Sequence, residues 1–282
     1  MLKYPVICWW SGGVTSAVAC RKAIDLYGLR RCLFLFIDTT NEDEDTYRFK
    51  KDCERWYGKE ILNLRNPKYK AIQEVWYKFN SLNVAHGAIC SSELKRWVRE
   101  DFQKHNKFHC QIFGFDVDEI KRVKAMTLNY PASKAVFPLP FYGLSKKDCL
   151  QIVQEAGIEV PRTYQLGFHN NNCFKTGCVQ GGIGYWQKME REFPEKFNKM
   201  AEVEHELTGF RGAPVTMLKD QSKAAKASGN ILVFLKKHPD YPNLKCLADM
   251  APQAVKPLFE CNGFCGTNDL ERNSTEEEIN FD

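Results

Sequence analysis

A glycine pair flanked by hydroxyl side chains lies ten residues into the chain, in the stretch Ser11-Gly12-Gly13-Val14-Thr15-Ser16. It follows an apolar run, residues 6–10, that predicts a buried strand, and it precedes apolar residues at helical spacing. The glycines let backbone N–H groups approach an anion closely, and a helix N-terminus supplies free donors and a positive dipole end. This glycine loop, residues 11–16, therefore predicts a phosphate site, to which Ser11 and Ser16 add hydroxyl donors. An ordinary turn between strand and helix is the alternative interpretation.

The elements that would position this loop alternate between strands and helices. Strands are expected at residues 5–10, 32–38, 59–64, 109–115 and 134–138, and helices at residues 14–27, 43–57, 67–80, 91–105, 117–128 and 145–156. Such alternation predicts an α/β, Rossmann-like fold with a parallel sheet covered by helices on both faces. Ligands of such sheets bind beside the carboxyl ends of the strands, where the glycine loop and Asp38 both fall.

The chain length and the change in residue pattern after about residue 165 predict more than one region. At 282 residues the chain exceeds one average domain. We expect a nucleotide-binding α/β domain at residues 1–165, a Cys-rich C-terminal region at residues 166–270, and an acidic tail at residues 271–282. The net charge of +5 permits binding of nucleic acid or nucleotide without requiring either. Without an apolar run of about 18 residues or a signal-peptide pattern, we expect a cytoplasmic protein that does not enter a membrane.

The twelve cysteines are expected to be reduced thiols or metal ligands rather than disulfides. Six fall in predicted strands or helices and are expected to pack in the core: Cys8, Cys20, Cys32, Cys53, Cys110 and Cys149. Five lie in loops beside glycine or asparagine and are candidate metal ligands: Cys90, Cys173, Cys178, Cys261 and Cys265. We expect the first three of these, with at least one of the last two, to share a site beside the nucleotide pocket. Four thiolates suit an iron–sulfur cluster, which we favour, or Zn²⁺.

Two sets of polar side chains, the basic residues of one predicted helix and a run of asparagines, can each be interpreted in two ways. Lys95, Arg96 and Arg99 lie on the helix predicted at residues 91–105, where a solvated face is the simplest interpretation and a phosphate or nucleic-acid contact is the alternative. The run Asn170-Asn171-Asn172 predicts a polar turn, although its amides could equally face a substrate.

Further motifs follow the glycine loop in a fixed order along residues 5–182. They are Asp38-Thr39-Thr40, Asp45-Thr46-Tyr47, Phe113-Gly114-Phe115 with Arg122, Phe137-Pro138-Leu139, and Tyr164-Gln165-Leu166-Gly167-Phe168 ahead of Gly177-Cys178. Together they resemble the PP-loop ATP pyrophosphatases, the adenine-nucleotide alpha-hydrolase group that includes the phosphoadenosine phosphosulfate (PAPS) reductase family. The chain departs from the family pattern at Thr15, Thr40, Asp45 and Ile120, where the family has Asp, Gly, Glu and Ser.

The resemblance implies a HUP-type nucleotide fold that binds ATP with Mg²⁺. Its implied nucleotide contacts are Ser11, Gly12, Gly13, Val14, Thr15, Ser16, Asp38, Thr39, Gly114 and Arg122. In this interpretation the glycine loop holds the β,γ-pyrophosphate, Ser11, Ser16 and Asp38 act in catalysis, and Asp38 lies near the ribose or the metal. Iron–sulfur members of the reductase family have a cysteine at the position of Cys90 and a later Cys-x-x-Cys, which implies a [4Fe-4S] cluster. Here Cys178 matches the first cysteine of that pair, but Gly181 takes the second place.

Three functions fit these residues. The first is an ATP pyrophosphatase that adenylates an acceptor, with tRNA or DNA as the acceptor and with a sulfur donor. The second is a sulfonucleotide reductase that uses a thiol reductant and has Cys261 or Cys265 as nucleophile. The third is a metal-stapled binding module without chemistry, which Thr15 in place of Asp supports. The intact glycine pair favours the first, because such backbone donors stabilise a pyrophosphate leaving group.

Overall fold

The structure is a computed structural model that describes residues 4–84, 87–171 and 173–258. Its strands are β1 Val6–Trp9, β2 Cys32–Ile37, β3 Ile61–Leu64, β4 Asn83–Val84, β5 Gly87–Ala88, β6 Gln111–Ile112, β7 Ala135–Val136, β8 Leu218–Lys219, β9 Leu232–Phe234 and β10 Lys245–Cys246. Among the described residues, five of these strands form one parallel sheet in the order β3-β2-β1-β6-β7. The predicted α/β, Rossmann-like fold is confirmed.

Helices α1 to α6 lie between the strands of the parallel sheet along the chain and, within the described residues, six more follow its last strand. The helices are α1 Val14–Tyr27, α2 Glu44–Tyr57, α3 Ile72–Phe79, α4 Ile89–Ser91, α5 Trp97–His105, α6 Ile120–Asn129, α7 Pro138–Phe141, α8 Lys146–Glu155, α9 Arg162–Gln165, α10 Ile183–Glu192, α11 Pro194–Arg211 and α12 Lys223–Ser228. A π-helical segment, Ser92–Arg96, joins α4 to α5, and short 3-10 turns cover Leu29–Arg31, Val117–Glu119, Pro131–Ser133 and Leu247–Asp249. In the described part of the chain, every helix is too short or too polar to cross a lipid bilayer.

The predicted helix bounds hold closely except for α3. This helix begins at Ile72, whereas the sequence predicted a start at residue 67. The side chain of Asn66 accepts the backbone N–H of Lys68 at 3.0 Å, and this local turn occupies the residues that would have formed the first helical turn.

Both faces of the central sheet are buried, because successive side chains of a strand point to opposite faces and helices cover each face. Val6 and Cys8 pack with α1, α2 and α8, whereas Ile7 and Trp9 pack with α5 and α6. The six cysteines predicted for the core are all buried, and burial raises the pKa of Cys53 to about 12. None of the ten cysteines in the described ranges forms a disulfide.

The C-terminal half has its own core around α10 and α11. A second sheet, in the order β10-β9-β8, packs there. The same core includes Trp76, Leu82 and Leu94, so residues 72–82 and 88–94 of the predicted first domain pack with the C-terminal half. The boundary at residue 165 stays a prediction, and side chains from both sides of it share this core. Cys261, Cys265 and the predicted tail lie outside the described residues.

A buried carboxylate in α11 holds the second sheet. The two oxygens of Glu204 accept the backbone N–H groups of Met217 and Leu235, each at 2.7 Å. Burial raises the pKa of Glu204 to about 8, while these two bonds lower it. Because residues 217 and 235 flank β8 and β9, one side chain fixes both strands against the helix.

Replacement of Glu204 with Ala should lower the free energy of unfolding by about 2–5 kcal/mol, since two buried N–H groups lose their acceptor. Urea unfolding measures this loss. Glu202→Ala, at an exposed position on the same helix, is the control and should change stability by less than about 0.5 kcal/mol. Equal losses in both variants would contradict the assigned role.

The same carboxyl group also predicts a pH dependence. A folded-state pKa above the unfolded value means that the folded chain holds the proton more tightly, so stability falls as pH rises toward about 8. Glu204→Ala should lack this part of the slope.

Candidate functional site

The glycine loop lies where the strand order reverses. It connects β1 to α1, and β1 stands between β2 and β6, which leave it in opposite directions along the sheet. Within the loop, Ser16 Oγ accepts both the N–H and the hydroxyl of Ser11, each at 2.9 Å, and its own hydroxyl donates to the carbonyl of Gly13 at 2.8 Å. The hydroxyls that were predicted as anion donors therefore bond to each other and close the loop on the first turn of α1.

Gly12 occupies a conformation that requires glycine. Its φ is +92°, and a Cβ placed there would lie 3.0 Å from Cγ2 of Thr46. A larger residue at this position would therefore clash with α2. Gly13 is the N-cap of α1 and is extended, and the N–H of Val14 donates to the hydroxyl of Tyr164 at 3.3 Å.

Asn171 fixes the glycine loop from the C-terminal half. Its amide nitrogen donates to the carbonyl of Gly12 at 2.9 Å and to Oγ1 of Thr46 at 3.0 Å. Its amide oxygen accepts the hydroxyl of Thr163 at 2.9 Å. The side chain is buried, so these bonds form away from water. The asparagine run signalled polar chemistry, but it did not predict contact with Gly12.

Gly114 supports the loop from β6. A Cβ at this position would lie 2.5 Å from Cα of Ser16 and 2.6 Å from its nitrogen. The backbone after β6 therefore packs directly on the first turn of α1. Arg122, predicted with Gly114 as a nucleotide contact, is buried, pairs with Glu119, and has its guanidinium carbon 4.3 Å from the ring centroid of Phe115.

Asp38 is buried at the carboxyl end of β2 and bonds to neighbours on both oxygens. One oxygen accepts the N–H of Thr40 at 2.8 Å and the hydroxyl of Tyr47 at 2.9 Å, while the other pairs with Arg65. Burial and the nearby Asp38 charge raise the pKa of Tyr47. The carboxylate thus orders the rim of the site through Thr40, Tyr47 and Arg65.

Polar side chains of the next loop extend from β2 toward the cysteine loop. The Thr39 hydroxyl donates to Glu42 at 2.9 Å, and its oxygen lies 3.8 Å from Sγ of Cys173. Lys95 Nζ lies 3.8 Å from Glu42 Oε1, and both side chains are buried. A buried ion pair therefore lies beside a thiol at the carboxyl edge of the sheet.

The solvated face predicted for the basic helix is wrong at two positions. Lys95 is 7% exposed and Arg99 is 2% exposed. Both follow the start of the π segment Ser92–Arg96, and a π turn contains about one residue more than an α turn. This extra residue rotates the following side chains about the helix axis, so the regular helical period assigned them to the wrong face.

Three of the predicted metal ligands lie in or against one core cluster. Cys90 and Cys178 are buried members of it, and Cys173 packs against it. The N–H of Cys178 donates to the hydroxyl of Tyr185 at 3.1 Å. Among the described residues there is no group of three or more His, Cys, Asp or Glu side chains that could hold a metal ion. The remaining predicted ligands, Cys261 and Cys265, lie outside the described residues.

This chain is similar to proteins known from sequence and from structure. An uncharacterized protein of Methanocaldococcus jannaschii is 26% identical to it over 209 residues, which are 72% of this chain and 42% of that protein. The chain thus spans less than half the length of this curated relative. The crystal structure of the PAPS reductase of Candida auris, a phosphate complex, has a TM-score of 0.47 at 14% identity, covering 61% of this chain and 83% of that chain. No family model matches the chain.

Replacement of Asn171 with Ala should lower the free energy of unfolding by about 1–3 kcal/mol, because buried groups of Gly12, Thr46 and Thr163 lose hydrogen bonds. Urea unfolding measures the change. Asn106→Ala, which removes an exposed amide bonded to the carbonyl of Phe102, is the matched control and should cost less than about 1 kcal/mol. A fully stable Asn171→Ala variant would show that the bonds to the loop contribute little.

Proposed function

We propose that this chain binds ATP with Mg²⁺ at the glycine loop, cleaves the bond between the α- and β-phosphates, and adenylates an acceptor in sulfur transfer or nucleic-acid modification. The observation that carries the proposal is the closed glycine loop at the point where the strand order reverses, with Gly12 at φ +92° and Ser16 bonding the loop shut. A loop fixed in this way needs no rearrangement when an anion binds, which favours binding to the leaving pyrophosphate.

The residues of the loop fit a pyrophosphate group. The first turn of α1, Val14 to Ala17, has no acidic residue in its sequence, and the helix dipole places positive potential there. We assign the backbone N–H groups of Gly12 and Gly13 to the β- and γ-phosphates, because the N–H of Ser11 bonds to Ser16 and that of Val14 bonds to Tyr164. Mg²⁺, when bound, neutralises charge on the departing pyrophosphate.

The proposed step transfers an adenylyl group. An acceptor oxygen attacks the α-phosphorus, the bond from that phosphorus to the bridging oxygen breaks, and pyrophosphate leaves with the electron pair. In sulfur transfer, a hydrosulfide donor then displaces AMP from the activated carbon, so that a carbon–sulfur bond replaces a carbon–oxygen bond. Thr39 and Cys173 support this proposal, because they bring a thiol to the edge of the sheet that holds the glycine loop.

We also propose a metal site, which would need a fourth thiolate beside the three cysteines of the core cluster. Cys90, Cys173 and Cys178 belong to one cluster of side chains, and Leu258, which packs against it, precedes Cys261 by three residues in the sequence. We infer that a [4Fe-4S] cluster or Zn²⁺ would take these three thiolates and one from Cys261 or Cys265; the three form no metal-holding group among the described residues, so binding requires their loops to move together. Thiolate sulfur is the donor that both choices prefer.

A sulfonucleotide reductase is the second candidate. The buried Lys95, which is linked to Cys173 through Glu42 and Thr39, favours it, since a cation and a thiol at one edge of the sheet suit the sulfate group of such a substrate. In that reaction a thiolate attacks the sulfur, the nucleotide leaves, and a dithiol reductant releases sulfite from the resulting thiosulfonate.

The nucleotide proposal predicts that ATP with Mg²⁺ binds and that Ser16→Ala weakens the binding by about 5–100-fold, because the loop loses the oxygen that closes it. Isothermal calorimetry gives both affinities. Ser228→Ala, at an exposed position in α12, is the control and should bind ATP as the wild type does. Failure of ATP, its non-hydrolysable analogue and adenosine phosphosulfate to bind the metal-replete protein would refute the nucleotide proposal.

The reaction itself distinguishes the two candidates. Incubation with ATP and bulk tRNA or DNA should release pyrophosphate and AMP, whereas parallel incubation with PAPS and a dithiol should release no sulfite. Sulfite without pyrophosphate would establish the reductase instead. Binding of ATP with neither product would leave a binding module.

The metal proposal predicts that anaerobically purified protein contains iron with absorption near ~400 nm, or about one zinc per chain. Cys173→Ser and Cys178→Ser should each lower the metal content severalfold. Cys20→Ala removes a thiol from the core of the sheet and should leave the content unchanged. Metal-free wild-type protein from anaerobic preparation would contradict the proposal.

A further inference from the structure

A groove crosses the C-terminal half on the side of α3 and α11. It has a volume of about 730 Å³ and lies between the ends of these two helices and β8. Its lining includes Phe79, Asn83, Phe210, Arg211 and Lys219. The glycine loop contributes none of the described residues that line it, so the groove is separate from the proposed nucleotide site.

Two aromatic rings in the groove are exposed to solvent. Phe210, in the last turn of α11, is 67% exposed, and Phe79, at the end of α3, is 42% exposed. The ring of Tyr77 meets Phe210 edge-on with 6.2 Å between centroids, and the hydroxyl of Tyr77 bonds to Glu206. Phe210 is therefore supported from one side while much of its surface faces water, which is the arrangement of a stacking platform.

The charge of the groove is positive. Arg211 and Lys219 are exposed there, and no acidic side chain is among the described residues that line it. Lys78 lies next to it, with Nζ 5.6 Å from the ring centroid of Phe79. The last twelve residues hold five acidic residues and one arginine, so the first 270 residues have a formal charge of +9. These charges suit a polyanion.

The groove adjoins the cysteine loop. The side-chain amide of Asn83 lies 3.4 Å from the carbonyl oxygens of Val179 and Met217, and Val179 follows Cys178 directly. Asn83 also begins the β4–β5 pair, which precedes Cys90 in α4. The wall that bounds the groove is thus continuous with the segments that position two of the predicted metal ligands.

We propose that this groove binds single-stranded nucleic acid, with a base stacked on Phe210 and phosphates at Arg211 and Lys219. Bases in a duplex are already stacked on each other, so an exposed ring selects an unpaired strand. An acidic peptide would use the two cations but would leave the exposed aromatic faces without a stacking partner. The role of the bound strand as the acceptor rests on the proposed adenylyl transfer, whereas the binding itself does not.

The test is fluorescence anisotropy without ATP, using fluorescein-labelled 12-nucleotide single strands of RNA and of DNA and a blunt 12-base-pair duplex. Phe210→Ala should raise the Kd for the single strands at least about fivefold, since one stacking contact is lost. The double variant Arg211→Gln/Lys219→Gln should reduce the slope of log K against log salt by about 1.4, about 0.7 for each phosphate contact.

Matched controls stand elsewhere on the surface. Phe141→Ala removes a ring that is 77% exposed in α7, and Lys121→Gln/Lys147→Gln removes two exposed cations. Both should change Kd less than twofold. Circular dichroism and calorimetry with ATP check that each variant is folded and that its nucleotide site is intact. If Phe210→Ala does not fold, the double charge variant provides the test.

The proposal is overturned if the single strands fail to bind at 50 mM salt, if the groove variants bind as tightly as the wild type, or if polyglutamate competes as well as RNA. Preference between the RNA and DNA strands identifies the source of the ligand. Oligonucleotide binding without ATP binding would leave the groove established and refute the proposed function. ATP binding without oligonucleotide binding would refute the groove proposal and leave the proposed nucleotide site standing.

Discussion

The hydrogen bonds of the Asn171 amide tie the glycine loop to the rest of the molecule. This side chain lies far along the sequence from Gly12, yet its nitrogen bonds to the carbonyl of Gly12 and to Thr46, and its oxygen bonds to Thr163. A glycine pair is conformationally free in an unfolded chain, so its geometry must be imposed by neighbours. Here a buried amide from the C-terminal half imposes it. The shape of the loop therefore depends on the docking of a region whose described residues contribute no strand to the central sheet.

The same docking brings charge and thiol together. Cys173 follows Asn171 by two residues and contacts Thr39, whose hydroxyl bonds to Glu42. Glu42 in turn pairs with the buried Lys95. A buried charge is stable only when it is paired. The ion pair between Glu42 and Lys95 therefore holds the loop after β2 against the π segment. Through it, the cysteine loop is attached to the carboxyl edge of the sheet at several points.

Much of the fold could be predicted from the sequence, because apolar periodicity reports burial directly. The strands of the parallel sheet and the bounds of α1 follow from it, as do the six core cysteines. The site was predictable as a location, since the loop and Asp38 both follow strands. Its contacts were not, because the bonds of Asn171 span long sequence separations. The orientation of Lys95 and Arg99 was missed because a π turn leaves no periodic signal.

A close backbone contact at Gly114 forms one wall of the glycine loop. Backbone touches backbone at this position, with no side chain between β6 and the start of α1, so these two segments can neither slide nor tilt independently. The opposite wall is held by polar side chains, among them Asn171 to Gly12 and Asn41 to Thr176. Asn41 and Asn171 are both buried, so each of these hydrogen bonds would leave an unpaired polar group if it broke. One wall of the glycine loop is thus fixed by close packing and the other by polar pairing, so that a substitution at Gly114 would act through steric overlap and one at Asn171 through lost hydrogen bonds.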